Sequence, residues 1–233
     1  MKIIILVLFL LMVIIYLQFN FVTDIISYFN PYIIFRVTNI KSKYIAITID
    51  DIKFDESSYF ESIVNILRKY NVQATFFINP IKKLSKKNDI ILKRAINDNL
   101  IELQYHSEKF DLFDTESFLK NIKYISKFIS KYTKKQKYKW YRPHLGLFTK
   151  KTIKLLKKKK FDGIVLSNVY PFDVIIKNIQ INTLYLKLKL SNGCIMLLHD
   201  LKSTSYTLDK IIPYIKNLNY KIVNFSELYR IKN

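Results

Sequence analysis

The chain has 233 residues, half of them hydrophobic and 15% aromatic, so it can bury one sizeable α/β core and is too apolar to stay disordered. Lys and Arg number 39 against 18 Asp and Glu, a formal net charge of +21 that favours acidic partners such as nucleic acid, anionic lipid or acidic glycans. The excess is nearly all Lys, with no Arg-rich arm, zinc-finger spacing or aromatic RNA-binding signature, so no specific nucleic-acid role is expected.

Residues 3–17 form an uninterrupted apolar run after Met1-Lys2. With Phe19, Phe21 and Val22 the run approaches the ~20 residues of a spanning helix. No small residues of a cleavage site follow, so residues 1–23 are expected to be an uncleaved single-pass signal anchor, with the rest of the chain on the lumenal or extracellular side. Residues 24–43 read as a stalk, broken at Asn30-Pro31, and 44–233 as the folded domain.

Tyr44 to Asp50 is a β-branched, apolar run of the kind a parallel strand buried on both faces shows. It ends in two adjacent carboxylates, Asp50 and Asp51, which repel each other. On the pair alone, a helix cap and a cation site are both open readings. A helix is predicted over 58–70, a strand over 74–78, a helix over 86–99 and a strand over 100–105. Helix 115–132, strand 139–142, helix 149–159 and strand 163–166 follow. Residues 172–190 carry no clear period; strand 194–198, helix 206–218 and strand 221–224 complete the chain. Repeated βα units predict a parallel sheet, open or closed as a barrel. The lone cysteine, Cys194, lies in an apolar run and reads as a small core residue.

Chemistry-bearing residues recur where these strands end. Asp50 and Asp51 end the first, His106 follows the third, Arg142 the fourth with His144 beside it, and His199-Asp200 a late one. Acids, His and Arg converging on one rim are the pattern of a site.

In order, these segments resemble the motifs of the polysaccharide deacetylases of the NodB-homology type, carbohydrate esterase family 4. Thr48-Ile49-Asp50-Asp51 resembles the first motif, with Ile52 in place of its Gly, and Ala74-Thr75-Phe76-Phe77 the family's second strand. His106-Ser107 resembles the start of its His-Ser/Thr-x-x-His motif, and Trp140-Tyr141-Arg142-Pro143-His144-Leu145-Gly146 its third. Tyr170-Pro171-Phe172-Asp173 is similar to the fourth motif, and Ile195-Met196-Leu197-Leu198-His199-Asp200 to the fifth.

The resemblance implies a distorted (β/α) barrel of about seven repeats. It also implies metal-dependent removal of acetyl groups, N-acetyl more often than O-acetyl, from a glycan such as chitin or peptidoglycan. Asp51 and His106 would be ligands of a divalent metal, Zn²⁺ with Co²⁺ or another ion as substitutes. Asp50 would be the general base, supported by Arg142, and His199 the general acid, oriented by Asp173. Tyr141, Leu145 and Leu197 would stand at the substrate and oxyanion end, Leu145 through its backbone N–H.

Phe110 stands where the family has its second metal histidine, and Phe binds no metal. Asp111 is the expected substitute, with Glu108 and Asp114 in reserve. The leading expectation is therefore a membrane-anchored deacetylase acting on an acetylated glycan. The alternative is a glycan- or surface-binding pseudoenzyme on the same fold. Oligomeric state is not legible.

Overall fold

The computed structural model describes residues 20–81, 83–108, 114–133 and 136–232. Helix α1 (Asn20–Phe29) leads into β1 (Ile33–Ile34). There follow β2 (Tyr44–Asp50), α2 (Phe60–Tyr70), β3 (Ala74–Ile78), α3 (Lys86–Asn97), β4 (Ile101–His106) and α4 (Thr115–Ser130). Next come β5 (Trp140–Arg142), a 3-10 turn (His144–Gly146), α5 (Lys150–Lys158) and β6 (Gly163–Val165). The chain ends with α6 (Ile179–Lys189), β7 (Ile195–His199), α7 (Lys202–Asn217), β8 (Lys221–Val223) and α8 (Phe225–Ile231).

Seven strands lie in the order β1-β6-β5-β4-β3-β2-β7, and β8 pairs with the first half of β2. Every strand pair is parallel, as expected of βα repeats. The chain leaving β6 meets β7 through a parallel bridge between Val169 and Met196, so an irregular segment, not a strand pair, completes the ring. Distorted closure of this kind agrees with the expected barrel.

Strand alternation then sorts the side chains. On β2, Ile45, Ile47 and Ile49 pack outward under the helices, in a core shared with Phe60, Val64 and Leu208. Ala46 points the other way, into a second core with Phe77, Trp140, Val165 and Ile195. Phe225 and Leu228 of α8 join this inner core, so α8 plugs the N-terminal end of the barrel. A buried polar clasp holds it there: Glu102 accepts from Thr75 Oγ1, Gln104 Nε2 and the Ser226 hydroxyl and amide. Burial pushes the Glu102 carboxyl up, against these four bonds. The inner face thus runs from apolar at one end to Asp50, His106, Arg142 and His199 at the other.

Three expectations change. Residues 24–43 are no free stalk, because β1 pairs with β6 and Ile33, Ile34, Val37 and Ile40 are buried. Residues 172–190 contain α6, whose helical period is diluted because its buried side includes Asn182 and Thr183 beside Tyr185 and Leu186. Helix α7 starts at Lys202, earlier than the apolar period suggests. The expected spanning segment falls mainly on residues 1–19, outside the described residues. Among the described residues no helix is long and apolar enough to cross a membrane.

Candidate active site

The two carboxylates at the end of β2 separate because the backbone turns between them. Asp50 keeps the strand's inward direction and is 2% exposed. Asp51 adopts a left-handed conformation, φ 59°, and keeps 44% of its side chain exposed. A non-glycine residue held there costs about 1–2 kcal/mol, a strain typical of functional turns.

Arg142 holds Asp50. Its guanidinium donates to Asp50 Oδ1 at 2.7 Å, Thr48 Oγ1 at 2.8 Å, and the carbonyls of Val165 and Leu166 at 3.1 and 3.2 Å. The group also lies over the Phe77 ring, 3.9 Å from its centre. Burial lowers the Arg142 pKa from its ordinary value, and the Asp50 charge opposes that shift.

His106 Nδ1 is 2.8 Å from the Arg142 carbonyl. A carbonyl can only accept, so Nδ1 carries a proton and Nε2 is turned toward the carboxylates. Nε2 is 3.4 Å from both Asp50 Oδ2 and Asp51 Oδ1. An imidazole nitrogen and two carboxylates converging on one point are donors suited to a shared cation. The 3.4 Å spacing matches the edge of a tetrahedron built on metal–ligand bonds of about 2.1 Å. Asp51 and His106 therefore fit as two donors to a divalent ion, while Asp50 is engaged by Arg142. Among the described residues no group of three or more His, Cys, Asp or Glu is arranged to hold a metal. Phe110 and Asp111, the expected third donor, lie outside the described residues. Asp114, named as a reserve, caps α4, its Oδ1 accepting from the amides of Glu116 and Ser117. The His144 ring centre is 6.4 Å from that of His106.

Facing this group, Asp173 grips His199 twice, accepting from Nδ1 at 2.8 Å and from the backbone N–H at 2.9 Å. Burial would lower the His199 pKa, but the hydrogen bond and the charges of Asp173, Asp50 and Asp51 outweigh it and raise the group above the ordinary histidine value. Tyr170, to which the sequence reading gave no role, packs its ring 5.5 Å from that of His199. Its phenol is pushed up by burial and by the same three aspartates.

Asp200 was also missed as a positioning group. It accepts from Ser58 Oγ at 2.6 Å, Tyr59 N at 2.8 Å and Lys53 N at 3.3 Å. It thereby ties β7 to the loop that carries Asp51 and supplies the anion at the α2 N-terminus, where Tyr59 itself offers no side-chain cap. No sequence signal marks this role, since the partners lie more than 140 residues apart.

Leu145 and Leu197 are on the rim side. Leu145 is 79% exposed with left-handed backbone, φ 52°. Its neighbours' amides are used within the turn: His144 N–H donates to Ser107 Oγ, Gly146 to the Pro143 carbonyl and Leu147 to the His144 carbonyl. Leu197 is half-buried on the same face of β7 as His199. Tyr141 is a correction. Strand alternation turns it opposite to Arg142, and it is buried between Phe118 and Phe161 beneath the helices, on the face away from the rim cluster.

A parallel α/β barrel whose C-terminal rim carries paired carboxylates, a histidine with a free-facing Nε2 and an Asp-held histidine has the acid–base equipment of a hydrolase. The chain belongs to the polysaccharide deacetylase family, whose model matches residues 38–164. It is 27% identical over 213 residues to a peptidoglycan-N-acetylglucosamine deacetylase of Bacillus cereus, covering 87% of this chain and 95% of that protein. Among solved structures, a carbohydrate esterase family 4 pseudoenzyme from Bacillus anthracis superposes with TM-score 0.72 at 25% identity, over 86% of this chain and 69% of that one. A mutant of the pseudoenzyme described as having restored enzymatic activity superposes equally well, at 26% identity over 86% and 72%. A peptidoglycan N-acetylglucosamine deacetylase bound to an N-hydroxybenzamide gives TM-score 0.75 at 22% identity, over 88% and 96%, which supports the fold alone.

Proposed function

We propose that the chain is a membrane-anchored, metal-dependent deacetylase that removes N-acetyl groups from a peptidoglycan- or chitin-type glycan. The observation that carries the reading is the convergence of Asp50, Asp51 and His106 Nε2, opposite the Asp173–His199 couple. Asp51 and His106 would hold the ion, Zn²⁺ or Co²⁺, which when bound acidifies water and polarises an acetyl carbonyl. Asp50 takes the proton of the attacking water, held at its post by Arg142. His199, whose pKa its aspartate neighbours raise, gives a proton to the leaving amine, and the Asp173 bond to Nδ1 leaves Nε2 for that task. The N–H of Leu145 would donate to the developing oxyanion. The domain stands outside the membrane that residues 1–23 enter.

A second reading has its own observation. Phe110 cannot replace the family's histidine ligand, and the likeness extends to a pseudoenzyme. In that case the barrel binds glycan without cleaving it. Acetate release by the full chain from acetylated chito-oligosaccharides and peptidoglycan fragments, in added Zn²⁺ or Co²⁺, separates the two. Release abolished by Asp50→Asn supports the enzyme. Glycan binding without release by the parent protein supports the second reading.

A further inference from the structure

Helix α1 buries only Thr23 among its ten residues. Phe21, Val22, Ile25, Ile26, Tyr28 and Phe29 are all exposed, the last two at 80% each. So many large apolar side chains on one short helix exceed the scattered apolar residues of an ordinary surface. The one charge of the helix, Asp24, is neutralised by two 2.7 Å bonds from Arg36. The chain reaches α1 directly from the apolar run of residues 3–17.

This helix lies at the end of the barrel opposite the rim. It shares a mostly apolar cleft of about 610 Å³ with Tyr229 of α8, the helix that plugs the N-terminal end, and with Lys232 just past that helix. The same end carries lysines laid over tyrosine rings. Lys43 lies 5.5 Å from the Tyr220 ring centre, Lys137 5.2 Å from Tyr138, Lys221 5.5 Å from Tyr44 and Lys232 6.0 Å from Tyr229. Tyr and Lys together suit a membrane–water boundary, with the amphipathic ring at headgroup level and the ammonium on a flexible stem reaching phosphate.

We propose that the N-terminal end of the barrel is a docking face for an anionic lipid bilayer: the apolar side of α1 lies in the interfacial zone and the Lys–Tyr pairs meet the headgroups. The catalytic rim then points away from the membrane, toward a polymer beyond it. The inference rests on the membrane anchoring stated above and goes further, since a domain hanging from a tether would leave α1 and the lysines in water. The +21 net charge supplies the complementarity to anionic lipid.

The test uses the full chain in vesicles of phosphatidylglycerol and phosphatidylcholine, with a nitroxide placed at Tyr28→Cys, Lys232→Cys or Leu145→Cys. Cys194 is buried with its thiol pushed up to about 12, so it does not compete for the label. Accessibility to an aqueous nickel chelate and to oxygen is read by power saturation. The expected result is a several-fold loss of nickel accessibility at positions 28 and 232 relative to 145, with position 232 recovering in pure phosphatidylcholine. Phe29→Cys replaces Tyr28→Cys if that variant does not fold. A chain that floats with vesicles while all three labels are equally wet overturns the docking and leaves the anchor. A chain that does not float overturns both.

Discussion

Replacing Arg142 by Met tests whether the buried ion pair organises the rim. Met keeps an apolar stem over Phe77 but removes the donors to Asp50, Thr48, Val165 and Leu166. Asp50 and Arg142 are 2% and 3% exposed, so water cannot replace the lost partner. Breaking a buried pair from one side costs about 3–5 kcal/mol. In a chain of this size that lowers Tm by about 6–20 °C, at roughly 2–4 °C per kcal/mol. The double variant Asp50→Asn/Arg142→Met leaves an amide in place of a charge, a penalty of about 1–3 kcal/mol, and should regain part of the loss. Urea unfolding of the parent, both single variants and the double variant measures the cycle. An Arg142→Met variant within about 1 kcal/mol of the parent would refute the reasoning, given the range for buried pairs. So would a double variant less stable than Arg142→Met alone.

Asp173→Asn removes the charge that, with Asp50 and Asp51, raises His199 against burial, so the alkaline limb of acetate release should move to lower pH. Because the folded-state pKa is raised, the couple's stabilisation is fully present below the unfolded histidine value of about 6.5 and is lost as pH rises through the folded value. Unfolding curves across that window should therefore depend less on pH in Asp173→Asn than in the parent. Asp200→Ala strips acceptors from Ser58, Tyr59 and Lys53; a loss of about 1–3 kcal/mol is expected, with weaker Co²⁺ binding by calorimetry because the Asp51 loop loosens. Gly193→Ala should be among the most damaging changes. At φ +72° its Cβ would lie 1.8 Å from the Val37 carbonyl oxygen, and the cost measured by thermal unfolding should exceed the about 1–3 kcal/mol of ordinary overpacking.

Much of the site was legible because catalytic groups on a parallel barrel sit where strands end, and strand ends show in one dimension. Asp50 and His199 close apolar runs, and Asp51, His106 and Arg142 likewise stand where strands end. Tyr141 was misplaced by the same local reading, since a motif names neighbours without saying which face of a three-residue strand each takes. The bond between His199 and Asp173 is a contact across 26 residues, and the family pattern alone suggested it.

Apolar runs, the βα alternation and the acidic and basic groups at the rim are legible in one dimension, because periodicity is a property of short segments. Tertiary structure decided the rest. It split Asp50 from Asp51 by one left-handed residue, turned His106 Nε2 to the rim through the Nδ1 bond to the Arg142 carbonyl, and made Asp200 an anchor for a loop far away in sequence. It also drew Ile33 and Ile34, in the expected stalk, into the sheet, where a partner strand satisfies backbone groups that no local pattern pairs.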